Sequence, residues 1–135
     1  MKKIESICVV DDDEIYHFTI NKQLEYTKLV NKIITFYNGE DAIRFFEQAI
    51  RDQKGIPDVI LLDINMPVMD GWEFLKQYIL LKPFLSKKVI IYLVSSSVYE
   101  RDVEKAKKIS EVTDYIIKPV TKESLIKILE NNMSN

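Results

Sequence analysis

The sequence predicts an α/β fold, a doubly wound five-stranded parallel sheet in the order 2-1-3-4-5 with five helices, and three observations lead there. Apolar runs alternate with helical patterns along the chain, in the rhythm of strand, crossover helix and next strand. Two of the runs, Val59–Leu62 and residues 89–94, carry no polar alternation, so both faces of each strand are covered. The runs also end abruptly on polar groups: acids after the first, Asp63 after the third, Ser95 after the fourth and Lys118 after the fifth. In open parallel sheets the ligand crevice lies beyond the carboxyl ends of the strands, so these side chains are candidates for one site.

The first strand reads as Ile4–Val10, with Cys8 as a small buried hydrophobe inside it. Asp11, Asp12, Asp13 and Glu14 follow at the start of a helical pattern. The helix dipole favours an acid there by about 0.3–1 kcal/mol, which accounts for one or two of the four. Adjacent carboxylates at the end of a buried strand repel unless they share a cation, and hard oxygen donors at that density suit magnesium or calcium. In the helix that follows, Tyr16, Ile20 and Leu24 form the core stripe, while Ile15 and Phe18 project outward beside the acids as a docking face. His17, the one histidine, is assigned to the same outer face, solvated or facing a partner.

Residues 32–36 give a second strand, Asn38-Gly39 a turn, and residues 41–50 a helix with Ala42, Phe45, Phe46 and Ala49 inward. After Asp63, the Met66-Pro67 step delays the next helix. Asp70 caps it, Gly71 relieves crowding at its entry, and Phe74, Leu75 and Tyr78 pack inward. Ser95-Ser96-Ser97 then divides by role: Ser96 or Ser97 caps the following helix, and Ser95 presents a hydroxyl to the crevice. That helix, residues 98–109, is mostly charged with a thin stripe of Val103, Ala106 and Ile109, and is the candidate moving part. Residues 113–117 make the fifth strand and residues 121–131 the last helix, with Leu125, Ile128 and Leu129 inward and residues 132–135 frayed.

Composition narrows the function classes. A chain of 135 residues with 47% apolar content supports one core, read as a single domain over 1–135 with no output domain. A formal charge of -2 gives no field for nucleic acid or an anionic membrane. The opening Met1-Lys2-Lys3 precedes too short an apolar run for a signal peptide or a spanning helix, so a cytoplasmic protein is expected.

The set Asp11, Asp12, Asp63, Ser95 and Lys118 resembles the site of the receiver domain of two-component response regulators, and the resemblance spans residues 4–129. It implies the flavodoxin-like receiver fold, with Asp63 as phosphoacceptor, Asp11 and Asp12 as the acidic pair, Ser95 at the hydroxyl position and Lys118 on the phosphoryl group. Tyr115 matches the family's rotating aromatic. Mg²⁺ would be held by Asp12, Asp63 and the backbone carbonyl of Asn65, with Asp11 acting largely through water, and the Lys118-Pro119 peptide would be cis. The implied activity is self-phosphorylation and self-dephosphorylation, not turnover of an external substrate. The implied partners are a sensor histidine kinase or histidine phosphotransfer protein and a downstream protein target. The stretch from Asp63 to Phe74 is similar to that of single-domain, chemotaxis-regulator-like receivers, including those paired with phytochrome-type kinases. The same resemblance implies homodimerisation through the fourth helix, fifth strand and fifth helix.

Three alternatives compete with that reading. A haloacid dehalogenase-type phosphohydrolase needs a second Asp two residues after the nucleophile, where Asn65 stands, and an amide cannot serve as general acid or base. A flavodoxin-like cofactor binder must cradle phosphate after its first strand, where Asp11 to Glu14 would repel it. A pseudo-receiver, an interaction module that works without phosphorylation, is opposed only by the intactness of the set.

Overall fold

The computed structural model describes residues 3–133. Five strands, β1 (Ile4–Val10), β2 (Val30–Phe36), β3 (Val59–Leu62), β4 (Ile90–Ser95) and β5 (Val112–Ile117), form one sheet in the order β2-β1-β3-β4-β5. All neighbouring pairs are parallel. The helices between and after them are α1 (Glu14–Thr27), α2 (Gly39–Asp52), α3 (Gly71–Leu81), α4 (Glu100–Lys107) and α5 (Lys122–Asn131).

Alternation along each inner strand divides the core into two layers. Cys8 and Val10, Ile60 and Leu62, and Ile91 and Leu93 face α2 and α3, where they meet Phe46, Phe74 and Tyr78. Ile7 and Val9, Val59 and Leu61, and Tyr92 and Val94 face α1 and α5, where they meet Ile20, Leu24, Leu125 and Leu129. With both faces covered, β3 and β4 have no solvent side to mark with polar residues, which is why Val59–Leu62 and residues 89–94 read as unbroken apolar runs.

The register places the polar strand ends together. Asp11 N–H donates to the Phe36 carbonyl at 3.0 Å and Asp63 N–H to the Val10 carbonyl at 2.9 Å, so the ladder continues one residue past β1 and β3 and fixes where each carboxylate starts.

Several boundaries differ from the sequence reading. Asn38 caps α2 by accepting from Asp41 N–H, so Asn38-Gly39 opens a helix where a turn was expected. Gly39 fits because a Cβ there would lie 2.8 Å from the Met69 carbonyl oxygen. The fourth helix is shorter than residues 98–109: α4 begins after Tyr99, which makes no side-chain cap. Ser97 instead turns the loop, accepting from Tyr99 N–H at 3.3 Å and donating to Asp102 at 2.6 Å. Asn132, expected to fray, donates to Tyr92 Oη at 2.8 Å and to the Ile128 carbonyl at 2.7 Å. The remaining terminal residues of that expectation, 134 and 135, and residues 1 and 2 at the other end, lie outside the described residues.

Candidate functional site

At the carboxyl end of the sheet, Asp11, Asp12 and Asp63 each bring a carboxylate oxygen within 4.8 Å of the others. Asp11 is buried and held on both oxygens, one accepting from Asp13 N–H at 2.9 Å and the other from Lys118 Nζ at 2.6 Å. Asp12 is exposed at the mouth. Asp63 is only 6% exposed, with Oδ1 4.0 Å from Lys118 Nζ.

Lys118 reaches the acids from β5. Its backbone N–H donates to the Ser95 carbonyl at 2.9 Å, its peptide to Pro119 is cis, and its Nζ rests 4.3 Å from the centroid of the Tyr16 ring. The ring supplies a π face to the cation. Ser95 is fully buried at the end of β4, and its Oγ accepts from Ser97 N–H at 3.1 Å. Tyr115 Oη donates to the Ser97 carbonyl at 3.0 Å, so Ser95, Ser97, Tyr115 and Asp102 form one hydrogen-bonded path from the crevice to α4.

Three carboxylates and one ammonium leave a surplus of negative charge. Burial first, and then the charge of Asp11, push the Asp63 carboxyl from its ordinary 3.8 up to about 6, against the opposing pull of Lys118 and of Asn65 N–H. The Tyr16 hydroxyl is raised for the same reasons, by burial and by Asp11 and Asp63. Hard carboxylate oxygens at this spacing, with an anionic surplus, fit a divalent cation such as Mg²⁺.

Asp11, Asp12, Asp63, Ser95 and Lys118, scattered in sequence, are thus brought to one end of the sheet. Asn65 is exposed in the loop after Asp63, its side chain making no hydrogen bond among the described residues. His17 departs from expectation. It is buried, and Nε2 lies 2.7 Å from the Asp11 carbonyl oxygen and 3.1 Å from that of Phe36. Residues 17, 20 and 24 satisfy helical periodicity as well as 16, 20 and 24 do, and all of His17, Ile20 and Leu24 are buried. A polar residue loses that comparison in a sequence reading because its partners are carbonyls of distant strands. Gly71 does relieve crowding at the entry to α3: a Cβ there would lie 2.5 Å from the Asp63 carbonyl oxygen and 2.8 Å from Ile64 Cα.

A sheet of this order with acids, a hydroxyl and a lysine at its carboxyl end defines a signalling receiver. The family model of the response regulator receiver domain matches residues 7–130, and the chain belongs to that family. Among relatives, it is 32% identical over 115 residues to the protein-glutamate methylesterase/protein-glutamine glutaminase of Halalkalibacterium halodurans, covering 84% of this chain and 30% of that protein. The chain therefore spans less than a third of that relative's length. It is 29% identical over 123 residues to protein PilH of Pseudomonas aeruginosa, covering 91% of this chain and 93% of PilH. Among solved structures, a two-component response regulator from Cytophaga hutchinsonii superposes with a TM-score of 0.81 at 32% identity, covering 93% of this chain and 94% of that one.

Proposed function

We propose that this receiver is a phosphoryl-accepting switch, in which Asp63 takes a phosphoryl group from a sensor histidine kinase or a histidine phosphotransfer protein and thereby alters the face it offers to a downstream protein. The observation that carries the reading is the convergence of buried Asp63 and Asp11 with Asp12 and Lys118 at the end of the sheet. In the proposed reaction an Asp63 carboxylate oxygen attacks phosphorus, the bond from phosphorus to the donor imidazole nitrogen breaks, and the electron pair leaves with the imidazole. The transition state is loose, so positioning and charge neutralisation supply most of the acceleration.

Asp11, Asp12, Asp63 and the backbone carbonyl of Asn65 would hold Mg²⁺, which when bound neutralises charge on the transferring group. Lys118, already 4.0 Å from Asp63, would leave Asp11 for the phosphoryl oxygens. Ser95 Oγ would turn inward and release Ser97 N–H. That loosens the path through Tyr115 and Asp102 to α4, which is held by little else: Ala106 is its one buried residue. A modest change of charge at the crevice then biases a weakly packed element.

The match to PilH extends over 93% of that protein. The proposed donors carry a cytoplasmic location with them, and among the described residues no helix is long and apolar enough to cross a membrane. Homodimerisation through α4, β5 and α5 remains part of the proposal.

The test is incubation with Mg²⁺ and acetyl phosphate, read by intact mass, alongside beryllofluoride binding read by fluorescence. Trp72, the one tryptophan, lies on α3 with Lys105 of α4 4.5 Å from its ring centroid, so its emission reports on the α3–α4 contact. A phosphoryl adduct that requires Mg²⁺ and is lost in Asp63→Asn supports the switch. Absence of both adduct and fluorescence response in folded protein overturns it in favour of an interaction module.

A further inference from the structure

We infer that His17 is a positioning residue for the acidic site, acting through the backbone of Asp11; the inference rests on the acceptor reading above. The ring is buried on the inner side of α1 and reaches the carboxyl ends of two strands at once, with Nε2 2.7 Å from the Asp11 carbonyl and 3.1 Å from the Phe36 carbonyl. Two carbonyl oxygens can only accept, so Nε2 carries the proton and donates to both. The Phe36 carbonyl already receives Asp11 N–H at 3.0 Å, so His17 closes the junction where the β1–β2 ladder ends and the acidic loop begins.

Nothing else donates to the Asp11 carbonyl among the described residues, whereas the Asp11 side chain is held separately by Asp13 N–H and Lys118. Tyr37 meets the ring edge-on at 4.7 Å and Tyr16 at 6.3 Å, and Tyr16 in turn underlies Lys118. Backbone of Asp11 and cation of Lys118 are therefore both braced from neighbouring positions on the first turns of α1. Among the described residues Nδ1 is buried without a partner. A buried nitrogen left unpaired calls for a reason, and the aim of the other nitrogen at two carbonyls supplies one.

Removing the donor leaves the Asp11 carbonyl buried and unsatisfied and frees the peptide that sets the direction of the Asp11 and Asp12 carboxylates. Groups that orient metal ligands from behind typically contribute 10–100-fold in metal affinity. His17→Leu should weaken Mg²⁺ binding by about tenfold, read by Trp72 fluorescence, and slow adduct formation from acetyl phosphate. His17→Gln, whose amide N–H reaches about as far as Nε2, should restore much of both. In the wild type, the one imidazole in the chain allows a direct reading: long-range ¹H–¹⁵N spectra should show the Nε2–H tautomer, with that proton shifting on titration with Mg²⁺ alone.

A wild type that binds Mg²⁺ together with a Leu variant that binds it equally would overturn the His17 assignment and leave the acceptor reading standing. Equal impairment of the Leu and Gln variants, or an Nδ1–H tautomer in the wild type, would also overturn it, and the tautomer decides even where the Leu variant does not fold. A wild type that takes up neither Mg²⁺ nor phosphoryl overturns both readings.

Discussion

Helices α3 and α4 flank the same crevice and are built to opposite standards. Asp70 caps α3, accepting from Glu73 N–H at 2.9 Å, and Phe74, Leu75 and Tyr78 sink into the layer around Phe46. Among the described residues no side chain caps α4, and it buries only Ala106. The difference teaches where this receiver keeps its stability and where it keeps its freedom. The loop after Asp63 is anchored to the firm helix, while the loop after Ser95 leads into the loose one, so the proposed acceptor is held where packing is firm and the proposed response falls where packing is thin.

Breaking the firm side should have the largest effect. Phe46→Ala empties the point where Phe74 and Tyr78 meet and should cost about 3–5 kcal/mol in denaturant unfolding. A cost below about 1 kcal/mol would show that the α2–α3 layer is not the stable half.

Gly71→Ala tests whether the Asp63 loop depends on α3. The new methyl would meet backbone of Asp63 and Ile64, which cannot rotate away, so a loss of about 1–3 kcal/mol is expected, with weakened phosphoryl uptake. Wild-type stability and uptake in this variant would mean the loop is held elsewhere.

Asp63 itself should oppose folding when ionised and metal-free. Its carboxyl titrates near 3.8 when unfolded and about 6 when native, so the native state binds more protons between those values. The stability it contributes is full below about pH 4 and is lost as pH rises through about 6. In chelator at pH 7.5, Asp63→Asn should therefore be more stable than wild type by about 1–2 kcal/mol, the gap closing toward pH 4 and on adding Mg²⁺ to the wild type. Thermal melts at the two pH values check this; a gap that is constant with pH would assign the effect to packing.

The smallest effect belongs to α4. Val103→Ala should cost less than about 1 kcal/mol, because the side chain is only half-buried. Amide exchange should be faster in α4 than in α3 in both proteins. Equal protection of the two helices would erase the contrast.

The sequence by itself determined the sheet order and most of the crevice. The unbroken apolar runs of β3 and β4 identify doubly covered strands, and a polar residue closing such a run can only stand at its end, so Asp63 and Ser95 were legible from the runs, while Asp11 and Lys118 were legible as polar residues that follow the first and fifth strands. Asp70 was legible as a cap for the same local reason. Tertiary structure decided what depends on groups distant in sequence. His17 and Tyr16 are neighbours on one helix, and periodicity cannot tell which faces inward when the partners are the Asp11 and Phe36 carbonyls and the Lys118 ammonium. The short reach of α4 followed equally from contacts, since Ser97 spends its hydroxyl on Asp102 and leaves the helix to begin after Tyr99. Burial patterns are written along a chain, whereas hydrogen-bond partners are assigned only once strands and helices have met.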